Sequence, residues 1–286
     1  GIELHAAHCY MLLGTFLSPL KNKRQDEYGS DTPDNRTRLL VRVLKRIKAV
    51  AGEDFPITLR ISGFERIPGG RDASDTARIA PMLVAAGVDA FHVSGGVSDP
   101  MVSQMICGSS YPDGYNLPEA EAVKRVVDVP VMVVGRFLDP EFAEQALQDG
   151  RADMIVMGRP LLADPELPNK VRDGRLGEIR RCISCQNCID SMFLWPMDAR
   201  MNCAVNAATG RASVNYNRVT VGTDAVARRV TVFGVDSVDA VAGVAECVDL
   251  AAGRSTGKAV GRCAGKADIF ADFRINGAAD QIRGVQ

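Results

Sequence analysis

The 286-residue chain contains no stretch approaching the roughly 20 consecutive apolar residues that cross a bilayer, and no basic-then-apolar leader at its start. Both absences predict a soluble, cytoplasmic protein with no membrane partner. A charge excess of either sign is also missing: 34 Lys and Arg stand against 35 Asp and Glu, a formal net charge of -1. Nucleic-acid binders normally carry a basic surplus or stripe, so no nucleic acid is expected and a small-molecule ligand fits better. No internal repeat stands out, and Gly1 takes the place of a start methionine, opening directly onto an apolar run. Even cysteine spacing is lacking too. Cys182, Cys185, Cys188 and Cys203 crowd into one window while Cys9, Cys107, Cys247 and Cys263 are scattered, which points to a metal site more than to a disulfide framework.

What is present is enough apolar material, 46% of residues, to build one large core with something left over. From residue 1 to about 175, short apolar runs alternate with amphipathic segments, the pattern of parallel strands joined by crossover helices. The runs Gly1–His5, Phe55–Ile61, Val88–Ser94, Val129–Gly135 and Ala152–Gly158 are rich in branched residues with little alternation, as buried parallel strands are. The clearest helix spans Asp34–Val50, with Leu39, Leu40, Val43, Leu44, Ile47 and Val50 at helical spacing. Further helices are expected at Asp75–Ala86, Pro118–Val127 and Pro140–Gln148, the last capped by Asp139. The fold class is therefore α/β. Five βα units do not close an eight-stranded barrel, so either the sheet is open or three units precede Gly1. Beyond Arg175 come a cysteine-rich loop and then an Ala-, Gly- and Asp-rich tail, with one strand-like run at Arg229–Gly234.

Several residues have the chemistry of a site. Three thiols at Cys182, Cys185 and Cys188 plus a remote Cys203 can wrap an iron–sulfur cluster. Zinc is the competing occupant, though it more often takes paired Cys-x-x-Cys knuckles or mixed Cys/His sets. Gly135-Arg136 and Gly158-Arg159 end two adjacent strands, where glycine lets backbone N–H groups approach an anion and arginine supplies a charged fork; the alternative is simple turn geometry. His5, His8 and Tyr10 follow the first strand and could converge on a substrate at the C-terminal end of a barrel, with Tyr10 as proton donor, or form a capped loop around a core histidine. Arg60 is a charged side chain in an otherwise buried strand and needs an anionic partner, either an electron-rich ligand edge or the carboxylate of Glu3. His92, alone in an apolar strand, reads as structural.

The run Gly1 to Tyr10, the run Phe16 to Gly29, the cysteine loop Cys182–Cys188 and the segment Asn202–Arg211 together resemble the NADH:flavin oxidoreductases of the Old Yellow Enzyme superfamily. More narrowly, they resemble its iron–sulfur subgroup, which contains 2,4-dienoyl-CoA reductase and trimethylamine dehydrogenase. The resemblance implies a C-terminal part of a (β/α)8 TIM barrel over residues 1–178, a cluster loop over 179–211 and a degenerate, Rossmann-like tail over 212–286. It implies FMN contacts from Arg60, Gly135, Arg136, Gly158 and Arg159, a [4Fe-4S] cluster on the four cysteines, and a substrate face at His5, His8 and Tyr10. The implied reaction is reduction of an activated C=C bond in an enoyl or enone substrate, or oxidation of an alkylamine. NAD(P)H or an electron-transfer flavoprotein would exchange electrons, and a homo-oligomer is compatible with the family. In the tail, Asp236 and Asp239 stand where the family has two glycines of a dinucleotide-binding turn, so an FAD or NAD site there is not expected. For the polypeptide alone, a non-catalytic remnant or a metal-binding scaffold is the contrasting expectation.

Overall fold

The computed structural model describes residues 1–98, 102–193 and 201–210, together with two further strands at 229–234 and 244–249. The turn expected at Gly234–Asp239 and nearly all of the 212–286 tail lie outside the described residues. Five parallel strands pair in chain order: β1 (Ile2–Ala6), β2 (Ile57–Ser62), β3 (Ala90–Ser94), β4 (Val131–Val134) and β5 (Met154–Met157). Each falls inside or within a residue of its expected run. Arg229–Gly234 forms the expected strand, β6, which pairs in parallel with β5 on one side and antiparallel with β7 (Val244–Asp249) on the other.

Between the strands lie α1 (Leu12–Leu17), α2 (Pro33–Ala51), α3 (Ala73–Ala85), α4 (Val102–Met105), α5 (Leu117–Lys124) and α6 (Pro140–Gln148). After β5 come α7 (Arg159–Ala163), α8 (Leu167–Arg172) and α9 (Asn187–Phe193). Local chemistry sets the starts of the long helices. The Thr32 hydroxyl accepts from the Asn35 backbone N–H with Pro33 next in line, the Asp72 carboxylate accepts from Asp75 N–H, and the Asp139 carboxylate caps α6.

Strand periodicity then divides the sheet into two faces. On the helix-covered face, Leu59, Ile61, Phe91, Val93, Val131, Val133 and Ile155 pack with Leu40 and Leu44 of α2 and Ile79 and Leu83 of α3. Full burial of each such side chain contributes on the order of 2 kcal/mol. The alternate residues face the other way. There Ala90, Met132, Met154 and Val156 make a small apolar cluster. On β1 to β3 the same alternation selects Glu3, His5, Arg60 and His92, and the registers set His5 beside Arg60 and Arg60 beside His92. One polar row thus crosses three strands.

Candidate active site

β1 delivers His5, and the chain then makes a tight turn in which His8 and Cys9 both adopt left-handed backbone, φ +65° and +58°. Such conformations are uncommon outside glycine and persist where surrounding contacts impose them. Those contacts are visible. The His8 N–H donates to Ser62 Oγ at 2.8 Å, the Ser98 N–H donates to His8 O at 3.0 Å, and the Thr15 hydroxyl of α1 reaches Cys9 O at 3.2 Å. The His8 ring is buried between strand ends, its Nδ1 3.3 Å from Gly96 O and its Nε2 3.2 Å from Ser94 Oγ. A carbonyl can only accept, so Nδ1 carries the proton and Nε2 accepts from Ser94. Burial first, and the Arg60 charge second, push its pKa down to about 3. His8 is a neutral, fully committed ring.

Tyr10 is different. It is half exposed, its Oη lies 2.8 Å from His5 Nε2, and its ring stacks on His8 at 6.1 Å between centroids. Burial and the Arg60 charge also lower the His5 pKa, and His5 Nδ1 is buried without a partner. The three residues expected at one face of the site therefore meet as a ring cluster, with the hydroxyl outermost.

The anion-binding candidates meet as well. Arg60, Gly135, Arg136, Gly158 and Arg159 line one cleft of about 210 Å³ at the C-terminal ends of β2 to β5. Glu3 does not neutralise Arg60 directly: its carboxylate is taken by His92 Nδ1 at 3.0 Å, and it acts on Arg60 only as a nearby charge. Arg60 Nε is buried and has no hydrogen-bond acceptor, a costly arrangement unless an acceptor arrives. At the end of β5, a Cβ added to Gly158 would meet nothing within 4 Å, so open space lies over that backbone. Arg136 is more committed, donating to Gly108 O at 2.7 Å and to Asp113 at 2.9 Å. Sequence reasoning did not single out other residues of the same wall: Ser94, Cys107, Asn116 and Ile189. Asn116, which donates to Val134 O at 2.7 Å and accepts from Arg66 at 3.1 Å, holds the loop against β4. No periodicity marks such loop residues.

All four clustered cysteines border a second, smaller cavity. Asn202 N–H donates to Ser191 Oγ of α9, while Asn206 and Thr209 both donate to Leu162 O of α7, and these bonds fold the 201–210 segment back so that Cys203 faces the other three. The Ser184 N–H points at Cys182 Sγ, 3.4 Å away, and burial pushes the Cys188 thiol up. No group of three or more ligands converges tightly enough for a single metal ion among the described residues. That does not count against an iron–sulfur cluster, in which each thiolate binds a different iron and the sulfurs stand apart. No helix among the described residues is long and apolar enough to cross a membrane.

The chain has relatives with this architecture. Residues 1–178 match the model of the NADH:flavin oxidoreductase / NADH oxidase family. An NADH oxidase of Thermoanaerobacter brockii is 43% identical over 215 residues, covering 75% of this chain and 32% of the relative. Among solved structures, a 2-naphthoyl-CoA reductase bound to 2-naphthoyl-CoA superposes with TM-score 0.67 at 34% identity, over 73% of this chain and 31% of that one. Histamine dehydrogenase from Rhizobium sp. 4-9 gives TM-score 0.64 at 30% identity, over 73% and 29% respectively. The chain thus spans about a third of the length of these three relatives.

Proposed function

Because the chain belongs to the NADH:flavin oxidoreductase / NADH oxidase family, we propose that it forms the flavin-facing wall of an FMN- and [4Fe-4S]-dependent oxidoreductase that reduces an activated C=C bond. One observation carries the reading: a guanidinium with a buried, unpartnered Nε, Arg60, shares a cleft with two Gly-Arg strand ends. Arg60 would sit against the electron-rich edge of the flavin ring, and Gly158, Arg159, Gly135 and Arg136 around its phosphate. Bound FMN supplies hydride transfer to and from its ring system.

The chain's own residues supply the proton. In an enoyl or enone substrate the carbon beside the activating carbonyl must gain one, and Tyr10 offers the exposed hydroxyl of the ring cluster. His5, hydrogen-bonded to that hydroxyl, orients it, and His8, neutral and fixed by Ser94 and Gly96, is the floor on which the Tyr10 ring stacks. Cys182, Cys185, Cys188 and Cys203 would hold the cluster, which would supply one-electron transfer between FMN and a second redox partner such as an electron-transfer flavoprotein, while NAD(P)H as a reductant would deliver its electrons in pairs, as hydride, to a flavin. Alkylamine oxidation is the second reading, favoured by the likeness to histamine dehydrogenase.

The test is spectroscopic and kinetic. Anaerobic reconstitution of the chain is expected to give a flavin spectrum with a broad iron–sulfur shoulder and matching iron and sulfide contents; neither feature, or zinc in their place, would sink the proposal. Tyr10→Phe is expected to slow reoxidation of the reduced flavin by an enone by roughly 10²- to 10⁴-fold while leaving flavin reduction unchanged. Turnover of alkylamines in place of enones selects the second reading.

A further inference from the structure

Between the cleft and the cysteine cavity stands Gln186, inside the cysteine loop with left-handed backbone at φ +67°. Its side-chain oxygen accepts from Arg159 Nη1 at 3.1 Å, and its amide nitrogen donates to Ile106 O. Gly108 lies against the same amide: a Cβ there would be 3.5 Å from Gln186 Nε2. Gly108 O in turn accepts from Arg136. Arg159 borders both cavities. One amide therefore ties together the cysteine loop, the loop lining the cleft and the arginine at the end of β5.

We propose that Gln186 is a positioning residue that makes phosphate recognition by Arg159 conditional on a loaded cysteine loop. The inference rests on the flavin and iron–sulfur reading given above. The physical reason is that an arginine side chain has many rotamers, and holding one of its nitrogens narrows them before any ligand arrives at the cleft that Arg159 lines. Gln186 can hold it only where the backbone places it, between Cys185 and Cys188. Metal loading of those cysteines orders that backbone. A folded, loaded loop thus presents Arg159 in one orientation, whereas an unloaded loop lets Gln186 and Arg159 part.

A direct effect opposes this, since a thiolate-ligated cluster and a phosphate are both anions and repel through space. That repulsion does not depend on Gln186, so it cancels when the wild-type chain is compared with Gln186→Leu in a thermodynamic cycle. FMN and riboflavin, which differ by the phosphate, are titrated into the full chain before and after anaerobic reconstitution with iron and sulfide, with binding read by flavin fluorescence and loading by visible absorbance.

On loading, the wild-type preference for FMN over riboflavin is expected to change by a factor about tenfold more favourable than the change in Gln186→Leu, a coupling of the usual size for linked sites. Equal changes in the two chains overturn the proposal. Where Gln186→Leu takes up no iron, Gln186→Glu, which keeps an acceptor for Arg159, is expected to retain the wild-type change, and loss of that change overturns the proposal equally. Failure of the wild-type chain to bind either flavin, or to develop cluster absorbance, overturns the underlying functional reading instead and is seen in a separate signal.

Discussion

A histidine held neutral by burial makes stability depend on pH. The folded chain keeps His8 unprotonated down to about 3, whereas an unfolded chain protonates histidine near 6.5. The unfolded state therefore takes up the extra proton, and stability present above pH 6.5 is lost as the pH falls toward 3. His5 and His92, whose pKa values are also lowered by burial, act in the same direction. Urea unfolding at pH 7 and at pH 4.5 is expected to show a loss that is steeper in wild type than in His8→Gln by up to about 1.4 kcal/mol per pH unit. Identical slopes would mean that His8 is solvated. Residue types alone disclosed part of this: a charged Arg60 in a buried strand asks for an anion whatever the fold. They did not disclose how His8 is held, because its partners Ser62, Ser94 and Gly96 come from the ends of two other strands and only the fold brings them within reach.

The long helices were readable nearly to their ends, because caps and apolar stripes are local properties. Asp139 marks its start in the chain as plainly as in space, whereas α2 begins at Pro33, one residue ahead of the expected Asp34, with Thr32 as its cap. What could not be read is how one element grips another. Lys48, on the last turn of α2, sends its ammonium inward to Asp89 at 2.8 Å and to the carbonyls of Glu53 and Phe55 at 2.8 and 3.0 Å, and Asp89 also accepts from Ile57 N–H on β2. Gly87 leaves room for the lysine stem; a Cβ there would lie 3.0 Å from it. Lys48 is a charged residue on an amphipathic helix, yet it is buried, which helical spacing alone does not disclose. Lys48→Met keeps the stem but leaves Asp89 a half-buried charge without its cation, and is expected to cost about 3 kcal/mol in denaturant unfolding. Flavin affinity should be unaffected, since the grip lies away from the cleft. A cost near zero would show that Asp89 finds water.

At the scale of the whole molecule, the two sheet faces divide the labour. The helix-covered face supplies stability from apolar burial, and the opposite face spends some of it by holding an incompletely paired guanidinium near two histidines. A ligand that satisfies Arg60 is then a stabiliser of the fold. FMN at a hundred times its Kd is expected to raise the unfolding free energy by about 2.7 kcal/mol, seen as a higher melting temperature, and Arg60→Leu is expected to gain stability without ligand while losing most of that rise. A variant that melts lower without ligand and keeps the full rise would contradict this account. The in-register row His5, Arg60, His92 also fixes what kind of genetic change the protein can tolerate. Because strand side chains alternate, inserting or deleting one codon within β1, β2 or β3 would exchange that strand's polar residues for its greasy ones. Such an indel would drive the site's charged and imidazole side chains into the apolar layer under the helices and bring Leu4, Leu59 or Phe91 to the site face, so substitutions are survivable in these strands where shifts of a single residue are not.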